Sequence, residues 1–380
     1  MSYPSPRTYT RPAAALIALL VITCAHADWP MFRLDAAHTG LVPDAQVGQL
    51  SVAWATELGG SVDGSPAVVG EAVYVGNSLG QLHALSAADG SPLWSYQTSG
   101  AVESSPAVEG GLVLAGSVDR FFYALDAATG ELKWSYRTYG PIISSPACAG
   151  GLVYFTSMGG RAYCCRAADG AVVWRSERGA GSQCSPAVGG GLLLYGNDDG
   201  MIFALRADDG WPVWERQVQG KIVAGPVVGE GVVVFGIMSP SALRPPKIDH
   251  IMALRLDTGE TIWAQNEARS VLSAPVIGGD RVFFVTVEGY LSKTVVRAAS
   301  LSTGEDIWER VVGGVVDSSP ALLGDRLVLG CHDGSLHVIS AADGSVVQSL
   351  PLASKIYSSP AWDGGHIYIG ANDGKLYCLQ

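Results

Sequence analysis

Short apolar runs of about four residues, separated by small and polar turn residues, fill most of this chain. No apolar spacing of helical period is sustained long enough to compete with them. Over residues 65–96 the runs are 66–69 (PAVV), 72–75 (AVYV), 82–85 (LHAL) and 93–96 (LWSY). Val, Leu, Tyr and Trp dominate them and Gly or Asp-Gly pairs punctuate them, which predicts a four-stranded antiparallel meander.

The unit then repeats. Ser65-Pro66 returns as Ser105-Pro106, Ser145-Pro146, Ser185-Pro186, Gly225-Pro226, Ala274-Pro275, Ser319-Pro320 and Ser359-Pro360, with proline steps of 40, 40, 40, 40, 49, 45 and 40. That period suits a propeller blade and is too long for most helical solenoids. Trp94, Trp134, Trp174, Trp214, Trp263 and Trp308 each fall four residues after a turn glycine, on the fourth strand. Such a ring can wedge between neighbouring sheets, and its burial contributes on the order of 2–3 kcal/mol. The seventh unit has Gln348 at this position, and the eighth reaches Gln380 before a fourth strand exists. Residues 50–58 (LSVAWATEL) carry Trp54 with no unit in front of them. They are expected to supply the missing strand and close the ring, which removes its free edges. The expected fold is all-β, an eight-bladed β-propeller of four-stranded antiparallel blades over residues 50–380.

The phrase 124–134 (ALDAATGELKW) closely resembles the repeat of the quinoprotein-type, PQQ-like eight-bladed propellers. The opening 29–33 (WPMFR) and 38–40 (HTG) also resembles the start of secreted proteins in that group. The family contains pyrroloquinoline quinone (PQQ) alcohol dehydrogenases and the non-enzymatic outer-membrane assembly protein BamB, and this chain resembles its compact, BamB-like members. The resemblance implies the fold over the whole mature chain. It implies less about function, because the repeated residues are those that build blades.

Residues 1–27 read as an export signal: Arg7 and Arg11, the apolar run 13–22, then the A-x-A site 25–27. The run is too short to span a bilayer permanently, so no transmembrane helix is expected in the mature chain. Lipid anchoring at Cys24 is the competing reading, though Thr23 is unlike the small residue usual before a lipidated cysteine. Residues 28–49 form a leader before the propeller. A periplasmic or cell-envelope location follows, or secretion where the host has no outer membrane.

The formal charge is −11; residues 1–27 hold two arginines and no acid, leaving −13 for the remainder. An acidic surface without basic runs argues against nucleic acid and favours a basic or amphipathic partner. The six cysteines after residue 27 do not form a disulfide framework, and most read as small core residues. Dehydrogenases of the resembled family use an adjacent-cysteine disulfide beside the quinone. Cys164-Cys165 sits instead in mid-strand, where successive side chains point to opposite faces.

Both insertions that break the period, 238–250 and 288–296, fall between strands two and three of their units. That end of the blade also carries the links between blades, and insertions on one face of a repeat protein mark a binding face. At the same end, the residues entering each first strand are Asp63, Glu103, Ile143, Gln183, Val223, Leu272, Asp317 and Tyr357. Because blade 8 abuts blade 1, Asp317, Tyr357, Asp63 and Glu103 form one arc of the channel mouth, opposite an apolar arc of Ile143, Val223 and Leu272. These four are the binding-face candidates. The alternative is that they are ordinary polar caps on strand starts.

No metal site is expected. The Asp-Gly turns lack the glutamate of a calcium loop, and His83, His332, His337 and His366 lie without a ligand spacing. Hydrolase motifs are absent from the sequence. Two functions remain. The first is a non-catalytic exported scaffold that binds an envelope protein or peptide and needs no cofactor. The second, implied by the resemblance, is a PQQ- and calcium-dependent alcohol or sugar dehydrogenase. Against the second, the blades mostly keep a bare 40-residue step, where the dehydrogenases carry long insertions that cover the cofactor. Blade packing also claims every tryptophan except Trp29, Trp211 and Trp362. No catalytic residue is assigned.

Overall fold

The computed structural model describes residues 28–241, 246–288 and 293–380. The expectations for residues 1–27, including Cys24, and for the centres of both insertions lie outside these. Among the described residues the regular structure is entirely β-strand, arranged as eight sheets.

Blade 1 is typical: Ala67–Val69, Ala72–Gly76, Gln81–Ser86 and Pro92–Gln97 pair in sequence order, each antiparallel to the last. Strands two and three are buried almost throughout because adjacent blades cover both their faces, which is why they read as unbroken apolar runs. The fourth strand lies at the rim and alternates between exposed and half-buried positions. Val52–Glu57 pairs with Lys375–Leu379 and completes blade 8, as expected.

The repeated tryptophan and the repeated turn glycine prove to be two halves of one device across each seam. Trp174 Nε1 donates to the Ala207 carbonyl of the next blade at 2.9 Å, and its ring lies over that blade's Gly210. A Cβ on Gly210 would stand 2.6 Å from the ring, and its φ is 71°. The seam between blades 7 and 8 differs for a covalent reason. Blade 8's third strand, Lys375–Leu379, and fourth, Val52–Glu57, are not joined by a turn, so no turn glycine is there to receive a ring. Gln348 accepts from Leu50 N at 2.8 Å and donates to Leu50 O at 2.7 Å, satisfying both groups of the open end.

The serines of the Ser-Pro pairs join the blades at the channel. Ser65 N donates to Ser105 Oγ at 2.9 Å, Ser105 N to Ser145 Oγ at 3.0 Å, and Ser145 N to Ser185 Oγ at 2.9 Å. The chain of bonds resumes from Ala274 N to Ser319 Oγ and returns through Ser359 to Ser65. It is interrupted where Gly225 and Ala274 replace serine.

That interruption receives the leader, which crosses the end of the channel opposite the mouth. Trp29 bridges Val68 of blade 1, Pro30 O accepts from Val108 of blade 2, and Ala36 and Ala37 accept from Val188 and Val228 of blades 4 and 5. Leu41–Val42 then pairs in parallel with Ala321–Leu323, giving blade 7 a fifth, innermost strand. Between these anchors the chain turns inward at Arg33, Leu34 and His38, all with left-handed φ (59°, 77° and 58°). His38 Nδ1 donates to Pro226 O at 3.1 Å, with its ring against Gly225, where a Cβ would meet it at 3.0 Å. Arg33 is 3% exposed and donates to Pro320 O at 2.7 Å, Pro275 O at 2.9 Å, and Ala274 O and His38 O at 3.3 Å. The two units without a serine are thus those that admit the leader's imidazole and guanidinium.

Candidate functional site at the channel mouth

Antiparallel order places the links between blades and the turns between strands two and three on one face, with the channel mouth at its centre. There Asp63, Glu103, Asp317 and Tyr357 line one cavity of about 160 Å³. Val223 and Leu272 line its other side, Ser65, Ser105, Ser145, Ser185, Ser319 and Ser359 line its wall, and Phe32 reaches it from the leader. Ile143 and Gln183, placed at the mouth by register, do not line it.

The acidic arc is only partly satisfied. Ser61 Oγ donates to Asp63 Oδ2 at 3.0 Å, while Asp63 Oδ1 is buried without a hydrogen-bond partner. Asp317 Oδ2 lies 3.1 Å from His332 Nε2, and its Oδ1 is likewise buried and unpartnered. The His332 ring packs on Tyr357 with centroids 4.2 Å apart. Burial holds the Asp63 carboxyl above its usual range; burial, and then the Asp63 charge, do the same to Glu103. Unmet acceptors beside mutually repelling carboxylates favour a single cationic donor entering from solvent.

A family model described as outer membrane protein assembly factor BamB matches residues 44–177, 159–237 and 247–380. The chain belongs to the BamB family. Its fold matches BamB from Moraxella catarrhalis with a TM-score of 0.74 at 19% identity, over 87% of this chain and 100% of that one. A europium-containing methanol dehydrogenase matches with a TM-score of 0.76 at 15% identity, over 93% and 98% of the two chains. The quinohemoprotein alcohol dehydrogenase from Comamonas testosteroni matches with 0.76 at 16% identity, over 93% and 80%. At such identities these likenesses establish the fold alone. No curated protein sequence matches significantly.

BamB-family membership leaves the quinone question to the residues of this mouth, and they do not fit PQQ. Cofactor pockets run to roughly 300–1,000 Å³, against about 160 Å³ here. No tryptophan or arginine is among the lining residues, whose aromatic members are Phe32 and Tyr357. Trp29 is consumed by the leader's contact with Val68, Trp362 is buried in a strand of blade 8, and Trp211 lies 68% exposed away from the cavity. Cys164 and Cys165 are both free and buried, and burial pushes each thiol up to about 12. Among the described residues no helix is long and apolar enough to cross a membrane.

Sequence reasoning found the acidic arc because register carries geometry from blade to blade. It missed the leader's place inside the channel. The available signal was the pair of departures from Ser-Pro, at Gly225 and Ala274, alongside a leader that carries Trp29, Phe32, Arg33 and His38.

Proposed function

We propose that this BamB-family chain is a non-catalytic scaffold of the cell envelope, exported by residues 1–27, whose mouth binds a basic or amphipathic segment of another envelope protein. One observation carries the reading: three carboxylate residues, Asp63, Glu103 and Asp317, line a single cavity of about 160 Å³, and one oxygen each of Asp63 and Asp317 is buried without a partner beside it. Val223 and Leu272 on the opposite side offer apolar contact to the flanking residues of such a segment. The described strands flanking both insertions, Ile248–Arg255, Arg281–Glu288 and Lys293–Ser300, are longer than their counterparts in other blades. The name of its BamB relatives, assembly factors of the outer membrane, fits a role in holding proteins together.

Binding of short cationic and anionic amphipathic peptides by the mature chain tests this. The cationic peptide should bind preferentially, more weakly as salt is raised. Asp63→Lys with Asp317→Lys should lower its affinity tenfold or more while the melting temperature stays within a few degrees of wild type. Equal binding of both peptides, or a melting temperature that falls with affinity, would make the acidic arc structural.

A further inference from the structure

Three side chains of blade 7 stand together on the mouth face in a way that no other described blade repeats. Cys331 follows the second strand, Arg326–Gly330; Asp333 lies in the turn; His337 lies in the third strand, Ser335–Ser340. A sulfur, a carboxylate oxygen and an imidazole nitrogen from the three lie within 4.8 Å of one another. We propose that they form a binding site for a thiophilic divalent cation of the zinc class, with water in the fourth position. Thiolate, imidazole and carboxylate are the donor set such an ion takes in tetrahedral sites.

The corresponding positions of other blades show what this turn needs for folding alone. In blade 1, Asn77 Nδ2 meets His83 Nε2 at 3.3 Å. In blade 2, Tyr123 donates its hydroxyl to Asp119 at 2.7 Å, and in blade 8 Tyr377 donates to Asp373 at 2.5 Å. Each closes its turn with a hydrogen bond. Blade 3, where the Tyr163 hydroxyl is unpartnered, does not, and neither does blade 7: His337 is 6% exposed, yet its Nε2 has no hydrogen-bond partner. Its neighbour is Asp333 Oδ2 at 3.7 Å. That is too long for a hydrogen bond and close to the ~3.5 Å between two ligands of a tetrahedral ion held at about 2.0–2.3 Å.

The surrounding groups orient the ligands. His337 Nδ1 lies 2.9 Å from Ser349 Oγ, which can accept its proton and leave the lone pair on Nε2 facing the cluster. Asp333 Oδ1 accepts from Ser335 N at 2.8 Å, which leaves Oδ2 turned toward the imidazole. The Cys331 thiol donates to Gly313 O at 2.6 Å and lies 3.5 Å from Val315 O, both in the link from blade 6, and an ion taking the thiolate would displace that proton. Asp333 is exposed, so ion and water reach the site from solvent. No sequence motif announces the group, because the ligands meet only when the hairpin closes. The site also adjoins the mouth: His332, between two of the ligands, contacts both Asp317 and Tyr357. A bound ion would therefore fix the turn that shapes the acidic arc.

Titration of the reduced, purified protein with Co²⁺, read by absorbance, tests the site. One equivalent should produce a thiolate-to-cobalt charge-transfer band with visible bands of four-coordinate intensity, displaced by one equivalent of Zn²⁺. Zn²⁺ should also raise the melting temperature. Cys331→Ser should abolish the charge-transfer band. Asp333→Asn, at an exposed turn position, and Ser349→Ala, which removes only the orienting hydroxyl, should each weaken binding tenfold or more. Two results would overturn the proposal: no band in folded wild-type protein at excess Co²⁺, or a band that survives Cys331→Ser and is indifferent to the other two substitutions.

Discussion

Arg33→Ala should lower the stability of the folded chain by about 4 kcal/mol, read as a fall in the urea unfolding midpoint at unchanged slope. The guanidinium donates to four carbonyls drawn from the leader and from blades 6 and 7. Hydrogen bonds to a charged group contribute roughly 1.5–3 kcal/mol each, and a buried acceptor left bare adds its own desolvation cost. Opposing this is the cost of burying the charge. Burial pulls the Arg33 pKa down to about 9, so the group remains cationic at neutral pH while its solvation is lost. Buried ion pairs replaced by apolar residues are often neutral or stabilising, because the desolvation cost of both charges disappears. Here the partners are neutral carbonyls that stay buried whatever replaces the arginine, so the bonds should win. Arg33→Lys keeps the charge without the planar fork and should recover less than half of the loss. An Arg33→Met variant as stable as wild type would show that desolvation outweighs the four bonds, leaving the leader held by its backbone bonds and by His38.

The second large effect belongs to the seams. Trp174→Ala should cost about 3–5 kcal/mol, since a ring 8% exposed and a hydrogen bond to Ala207 are lost together. Gly210→Ala attacks the same contact from the other blade. Its left-handed φ alone costs a side chain about 1–2 kcal/mol. The clash of a Cβ 2.6 Å from the Trp174 ring adds overpacking strain of roughly 1–3 kcal/mol. In the Trp174→Ala background the clash disappears and only the φ cost remains. The double-mutant cycle should therefore show a coupling of 1 kcal/mol or more, measured by chemical denaturation of the four proteins. Additive costs would mean that ring and glycine do not act as one joint.

The blades were legible in the sequence because each is a local unit repeated eight times, so one accident of composition could not mislead. Trp94 and its successors mark the fourth strand, and Ser-Pro marks the first. The last strand was legible for the opposite reason: Trp54 stood outside any unit and Gln380 came before its own. The joint between Trp and the next blade's Gly was not read, since its two halves lie in different units. The Gln348 substitution was visible, but its pairing with Leu50 required knowing that the chain ends meet there. Register brought Asp63, Glu103, Asp317 and Tyr357 to one cavity, whose lining includes Ser145 and Ser185 but not Ile143 and Gln183. The leader's place was marked only by the missing serines at Gly225 and Ala274, for a physical reason. Its partners, the carbonyls of Ala274, Pro275 and Pro320, are backbone atoms with no residue signature.

That leader bears on the central claim, that this propeller's channel is occupied by its own chain and its mouth takes a cation in place of a quinone. A thermal melt of residues 28–380 with PQQ plus calcium, with calcium alone and with neither, paired with dye reduction on simple alcohols, tests it most directly. A native-state ligand at a hundred times its dissociation constant adds about 2.7 kcal/mol, enough to raise the melting temperature visibly. The account predicts no shift that requires the quinone and no dye reduction. An upward shift that needs PQQ and calcium together, accompanied by dye reduction, would contradict it and make this chain a compact dehydrogenase.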